Sequence, residues 1–423
     1  MNSADLIITG CSQLLTCSGS APKRKKALRE VGIIEQGCIA SLQGKIVFIG
    51  TEKELKRNIS PVPDAVTINA AGLTALPGFV DPHNHLPFAG SREEEFKLRI
   101  QGASYLELAA KGMGIQTTVN ATRKATKEEL VSLCLKRLDS MLCCGTTTAE
   151  AKSGYGLNLD DEIKQLEAIK ETNKIHPIDI APTFLGAHEV PKEYKAKKNE
   201  YIDLLTHKIL PEVVKRELAE FFDIFCEEGV YSIAESRELI KAAKKAGLKI
   251  KIHADEFVPL GGAQLAVEQE AVSAEHLIAI TAEGIKRMAE SPTTAILLPG
   301  VPFFLMQNTT APARKLIDAG AAVALATDFN PGSSMTESQL CIMRLGVFLM
   351  NMTIEEAINA VTINAAYGIT RHNEVGSLEI GKKMDLILCD VPNYPSLVYH
   401  FGVNPIKHVI KNGKIVVRDG KLV

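Results

Sequence analysis

The 423-residue chain has little net charge, no long apolar run and no paired cysteines, and each shortage closes off a class of function. Lysine and arginine number 48 against 50 aspartates and glutamates, a formal net charge of −2, so composition offers nothing to a polyanion and no nucleic-acid partner is expected. The basic run PKRKKALRE, Pro22 to Glu30, is local and reads as a solvated loop. No uninterrupted apolar stretch is long enough to span a bilayer. The opening MNSADLIITG lacks a basic region followed by a long apolar one, so neither a membrane nor export is expected. The 9 cysteines include no CxxC pair and are scattered, many of them in apolar runs. They read as buried free thiols in a reducing cytoplasm, not as a disulfide framework.

What is present is a large core: 46% of the residues are hydrophobic. Length alone suggests two or three domains. Both ends are β-rich, with DLIITG, CIASLQGKIVFIG and AVTINAAG at one and MDLILCD and KHVIKNGKIVVRDGKLV at the other. The NGK in the last run is a hairpin signal. The expectation is one small β-sandwich built from residues 1–75 and 376–423. Residues 76–375 differ, because short apolar runs alternate there with amphipathic segments such as TKEELVSLCLKRLDSML. The runs are LPGFVDPHNH, GTTTAEAKSGYG, IDIAPTFLGAHEV, FFDIFCEEG, LKIKIHADE, AVSAEHL, TAILLPG and AAVALATDFNPG. Eight strand-then-helix units predict an α/β fold, a TIM-like (β/α)8 barrel, whose chemistry sits at the C-terminal ends of the strands.

The polar residues follow that rule. His83 and His85 close strand one, Lys152 and Tyr155 strand two, and His188 strand three. His253 and Glu256 close strand five, His276 strand six and Asp328 strand eight. On a strand, i and i+2 share a face, so His83 and His85 can grip one metal ion, and imidazole suits zinc and iron. An isolated HxH reads equally well as two polar loop histidines. Here His253 and Asp328 have the chemistry to complete a site. Three nitrogens and one carboxylate leave room for a water whose pKa coordination would lower.

These residues, in DPHNHLPFAGSREEEF, GTTTAEAKSGYGL, TFLGAHEVP, LKIKIHADEFVPLGGA, AVSAEHL, LLPG and LATDFNPGSS, make the chain resemble the amidohydrolase superfamily over nearly its whole length. GSREEEF, KSGYG and ATDFNPGSS are the most specific pieces; the tail GSLEIGKKMDLILCD fits but recurs across the superfamily. The resemblance implies a homodimer that hydrolyses the cyclic amide of imidazolone propionate to formiminoglutamate in histidine degradation. It implies one divalent metal per chain, zinc or iron, on His83, His85, His253 and Asp328. Binuclear members use a carboxylated lysine on strand four, and FFDIFCEEG has none. Glu256 would move the proton and touch substrate, and His276 would stabilise the oxyanion or orient the water. Arg92 would grip the propionate. Tyr155 and His188 would line the pocket, and Asn330, Gly332 and Ser333 would meet the ring or the product. Each role has a plainer rival: a salt bridge to Glu93, Glu94 or Glu95 for Arg92, an ordinary ion pair for Glu256, a core histidine for His276, loop packing for the rest. Two departures stand out. Asn84 lies where many relatives have threonine, and Met113 in KGMGIQTT lies where glycine is common. Rival functions are deamination of a nucleobase, which needs no arginine for a propionate, and a non-catalytic scaffold, which would have lost ligands.

Overall fold

The computed structural model describes residues 1–103, 107 and 112–423. At the chain ends, β-rich runs fold back where Asn, Asp or Gln precedes Gly. Gln43-Gly44, Asn412-Gly413 and Asp419-Gly420 all take left-handed backbone angles, as a two-residue hairpin turn of the mirror type requires. The strands so formed are β1 (Asn2–Leu15), β2 (Ile33–Leu42), β3 (Lys45–Thr51), β4 (Ile59–Asn69) and β5 (Thr74–Pro77). Eight barrel strands follow, and then β14 (Leu386–Cys389), β15 (Ile406–Lys411), β16 (Lys414–Arg418) and β17 (Lys421–Leu422). The two ends make one nine-stranded mixed sheet, ordered β17-β16-β15-β14-β5-β1-β2-β3, with β4 on β1. β5 joins the halves, pairing parallel with β1 and antiparallel with β14.

The chain passes from that sheet into the barrel at Gly78. A Cβ there would fall 2.4 Å from the Thr147 side chain, so only glycine lets the two segments approach. The barrel strands are β6 (Phe79–Asp81), β7 (Thr146–Lys152), β8 (Asp179–Ala187), β9 (Phe221–Cys226), β10 (Lys249–Ala254), β11 (Ser273–His276), β12 (Thr294–Leu297) and β13 (Ala322–Leu325). They are parallel and in sequential order, and each lies in one of the eight apolar runs that the sequence marks.

Side chains close the seam between β6 and β13. Gln339 Nε2 donates to Val80 O at 2.6 Å and to Leu325 O at 3.0 Å. Thr327 donates to Asp81 from both its N–H and its hydroxyl, at 3.0 and 2.6 Å. Just above, Asp328 N–H bonds His83 O at 2.9 Å and His85 N–H bonds Phe329 O at 3.0 Å. The last pairing of the barrel thus runs through its predicted site residues.

Outside the barrel, helices bury one stripe each. In Lys127–Cys143 the buried Leu130, Cys134, Leu138 and Met141 recur at helical spacing, and a Thr126–Glu129 capping box starts the helix. Inside, period two sets layers. Toward the N-terminal ends of the strands, Val80, Ala181, Phe221, Ile296 and Ala324 form one apolar cluster. Beyond it, Glu150, Lys152, Asp223, Lys251 and Glu275 are all fully buried.

The basic run is not the solvated loop expected. Lys25, Lys26 and Arg29 are exposed, but Lys23 is buried and donates to Glu30 O. The Arg24 guanidinium bonds the carbonyls of Ala289, Ser291 and Gly320, pinning the N-terminal segment to the barrel. All 9 cysteines are free; Cys143, Cys144 and Cys341 are half-buried and the others buried. No helix among the described residues is long and apolar enough to cross a membrane. In KGMGIQTT, Lys111 lies outside the described residues, and the segment is helical from Ile115.

Candidate active site

The seam explains how the HxH pair is presented. Asn84, between the histidines, turns its amide away from them, to Glu150 O at 2.6 Å and Asp81 Oδ2 at 3.2 Å. It also accepts from Leu86 N–H at 3.1 Å, which fixes the turn after His85. Asp328 and His276 both hold left-handed backbone angles, φ 47° and 70°. Such angles cost energy for residues with a Cβ and recur at functional sites.

His83 Nε2 and His85 Nε2 approach Asp328 Oδ1 to 3.2 and 3.3 Å. One ligand atom from each of these three residues lies within 4.8 Å of the others, and His83, His253 and His276 satisfy the same condition. The His83 and His253 rings are 4.6 Å apart, and those of His253 and His276 are 5.1 Å apart. Among the described residues, His83 Nε2, His253 Nε2, both ring nitrogens of His276 and Asp328 Oδ1 are buried without a hydrogen-bond partner. Orphaned buried donors and acceptors are costly. Nitrogen and oxygen atoms converging in this way fit a divalent cation.

Beneath them, carboxylates face the other ring nitrogens. Glu275 Oε2 is 2.5 Å from His83 Nδ1, and Asp223 Oδ2 is 3.0 Å from His253 Nδ1. This turns the Nε2 lone pairs toward the site. The same carboxylates hold two buried lysines. Lys152 Nζ lies 2.7 Å from Asp223, 2.9 Å from Glu150 and 3.2 Å from Glu275. Lys251 Nζ lies 2.8 Å from Glu275 and 2.9 Å from Glu150, and donates to Pro82 O at 2.7 Å. Sequence reasoning missed Glu150, Asp223, Lys251 and Glu275. Their signal was a charged residue inside an apolar strand run; Glu150, Lys251 and Glu275 also lie one or two positions from Lys152, His253 and His276, while Asp223 has no such neighbour.

Electrostatics divides the imidazoles. Burial pushes His85 and His276 down to about 4 and His188 to about 3, and drives His253 well below its ordinary value. Their lone pairs are therefore free at neutral pH. His83 is the exception: burial would lower it too, but the Glu275 and Asp328 carboxylates together outweigh that and push it up to about 9. Glu256 is held well above the usual carboxylate range by burial first, then by Asp328 and Glu227. Its carboxylate is 3.5 Å from His276 Nδ1, and Glu227 fixes its turn by accepting the Glu256 and Phe257 N–H groups at 3.0 and 2.9 Å.

A cavity of about 440 Å³ brings the predicted residues together. His85, Arg92, Tyr155, His188, His253, Glu256, His276, Asp328, Asn330, Gly332 and Ser333 line it; His83 is buried behind it. His188 stacks on His85 at 4.9 Å, with the Tyr155 ring 5.3 Å from His188. His188 Nδ1 donates to Gly154 O at 3.0 Å, which leaves the lone pair of the neutral ring on Nε2. Asn330 is committed to its loop, donating to Asp328 O at 2.7 Å and accepting from Gly332 and Ser333 N–H at 2.8 and 2.9 Å. Arg92 pairs with Glu95, the third of its neighbouring glutamates.

The amidohydrolase family profile matches residues 74–416. The chain is 50% identical over 420 residues to the imidazolonepropionase of a Geobacillus species, covering 99% of each chain. It is 48% identical over 420 residues to that of Alkaliphilus metalliredigens, again covering 99% of each. With the imidazolonepropionase of Symbiobacterium thermophilum the identity is 46% over 423 residues, 100% of this chain and 99% of that one. Among solved structures, an adenosine deaminase from Xanthomonas campestris with bound zinc gives a TM-score of 0.73 at 17% identity, covering 100% of this chain and 95% of that one. An atrazine chlorohydrolase from Arthrobacter aurescens complexed with zinc gives 0.71 at 15% identity, covering 99% and 96%. At such identities the likeness is one of fold.

Proposed function

We propose, from the premise that this chain belongs to the amidohydrolase family, that it hydrolyses the cyclic amide of imidazolone propionate to formiminoglutamate, a step of histidine degradation. The observation that carries the reading is one cavity holding both the orphaned histidine–aspartate cluster and the Arg92 guanidinium. The first suits hydrolysis and the second suits a carboxylate arm.

His83, His85, His253 and Asp328 would hold one divalent ion, and zinc and iron both suit three nitrogens and an oxygen. When bound, such an ion supplies Lewis acidity, making water acidic enough to attack near neutral pH. Lys152 supports a single ion. Its ammonium sits among Asp223, Glu150 and Glu275, the carboxylates on which a second cation would depend. An amine held as ammonium by three carboxylates is a poor candidate for carboxylation.

Glu256 takes the proton of the attacking water and returns one to the ring nitrogen that leaves. Its raised affinity for protons suits both tasks. His276, whose two ring nitrogens have no hydrogen-bond partner among the described residues, stabilises the developing oxyanion. Arg92 takes the propionate. Tyr155 and His188 confine the ring, and the loop of Asn330, Gly332 and Ser333 borders it. We place the enzyme in the cytoplasm on its 9 free thiols, as a homodimer after its family, acting on a small molecule without nucleic acid or membrane.

The test is loss of imidazolone absorbance with the purified, metal-analysed protein, run against a panel of nucleobases. Turnover of the imidazolone and one ion per chain are expected. Deamination of a nucleobase without imidazolone turnover would overturn the reading.

A further inference from the structure

We propose that Glu95 is a positioning residue for the substrate's anionic arm: it grips Arg92 by one edge and leaves the other edge for the substrate carboxylate. The inference rests on the role given to Arg92 above.

Arg92 precedes the helix Glu93–Ile100, and of the three glutamates in its first turn only Glu95 is buried. Helical spacing brings it back over Arg92. Arg92 Nε donates to Glu95 Oε2 at 2.9 Å and Nη2 to Oε1 at 2.5 Å, a side-on pair. Glu95 Oε2 also accepts the Gly114 N–H at 2.8 Å. The carboxylate therefore ties together two segments that border the cavity, since Arg92, Glu95 and Gly114 all line it.

A guanidinium has five N–H donors in a fixed plane, and the side-on pair uses two. Among the described residues no partner takes the Nη1–Nη2 edge, which is a second fork of the same shape. Glu95 also removes the rotamer freedom of a long side chain before the substrate arrives, which is how preorganisation raises affinity. The local charge stays favourable. Arg92 and Arg99 against Glu95 leave one positive charge, and Arg99 Nη1 donates to Gly332 O at 3.3 Å in the same corner.

Gly332 fits this assignment. A Cβ there would lie 2.2 Å from Arg92 Nη1 and 2.9 Å from Cζ. Its φ lies outside the left-handed region, so the glycine is explained by the guanidinium lying against it and not by the backbone.

The test is steady-state kinetics of the metal-loaded full-length enzyme on two substrates, imidazolone propionate and an imidazolone with an uncharged propyl arm. Glu95→Gln is expected to raise KM for the propionate substrate about tenfold, with kcat within about twofold and kcat/KM for the propyl substrate unchanged. In an Arg92→Lys background the same change should cost nothing further, because residues acting as one unit are non-additive. Glu95→Asp, which keeps the carboxylate but shortens its reach to Arg92, should reproduce the KM split and carries the test if Glu95→Gln does not fold. An equal loss on both substrates, additive losses or an unchanged KM would overturn the proposal. Failure of the reading beneath it has a different signature: the unmodified enzyme would handle the two substrates alike.

Discussion

Glu275 Oε2 and His83 Nδ1 lie 2.5 Å apart beneath the site, both side chains fully buried. Glu275 also touches both buried lysines, so one carboxylate sets the orientation of an expected ligand and balances two ammonium groups. Glu275→Gln keeps the shape and removes the charge. Measured above pH 9, where a proton on His83 no longer competes, metal affinity should fall by about 10–100-fold, the usual cost of losing a carboxylate behind a ligating histidine. Stability should fall by about 3–5 kcal/mol, because two buried cations lose a shared partner. Chelator competition and thermal unfolding measure the two effects. Unchanged metal affinity would mean that His83 is oriented by its backbone alone.

The same pair predicts proton release. With no ion bound, His83 keeps a proton up to about pH 9, held chiefly by Glu275 against the lowering effect of burial. A cation at Nε2 must displace it. Metal binding to the stripped protein at pH 7 should therefore release one proton. Affinity should rise by about tenfold per pH unit toward pH 9 and level off above it. Calorimetry in two buffers of different ionisation enthalpy counts the proton. Binding without release would show that His83 is neutral before the metal arrives.

Glu256→Gln should keep the metal and the fold and lose about 10²–10⁴-fold in kcat, the usual contribution of a positioned acid–base group. The amide is nearly isosteric, and the turn that carries it is held by Glu227 through the backbone N–H of Glu256, which the change leaves alone. Near-normal turnover would move the proton work to His276, which lines the same cavity with its Nδ1 3.5 Å from the Glu256 carboxylate.

The barrel was legible in the sequence because each strand run is apolar, short and bounded by turn residues, and because its polar residues collect at one end. The charged layer was not. In LKIKIHADE, period two puts Lys251 and His253 on one face, but nothing local says that this face meets Glu150 and Glu275 from other strands. Asp223 in FFDIFCEEG posed the same problem, since its partner Lys152 lies 71 residues away. Arg92 had three adjacent glutamates to choose from, and only a helix beginning at Glu93 selects Glu95. The basic run misled because charge predicts solvation, whereas Arg24 meets carbonyls more than 260 residues distant in sequence.

Lys152 bears on the number of ions the site takes. The fully buried carboxylates Glu150, Asp223 and Glu275 face the two ammonium groups of Lys152 and Lys251, which leaves one negative charge. Asp328 adds a second, and one divalent ion cancels both. Lys152→Met removes a positive charge and leaves Asp223 and Glu275, already within ligand distance of His253, short of a cation. The variant should be destabilised by about 3–5 kcal/mol, as when one partner leaves a buried ion cluster. Added divalent metal should restore part of that loss, with stoichiometry rising from one ion toward two, because whatever binds the folded state alone stabilises it. Elemental analysis after dialysis, together with unfolding at increasing metal concentration, measures both. A destabilised variant that still takes one ion, and that further metal does not rescue, would show that the ammonium holds the layer together without standing where a second cation could bind.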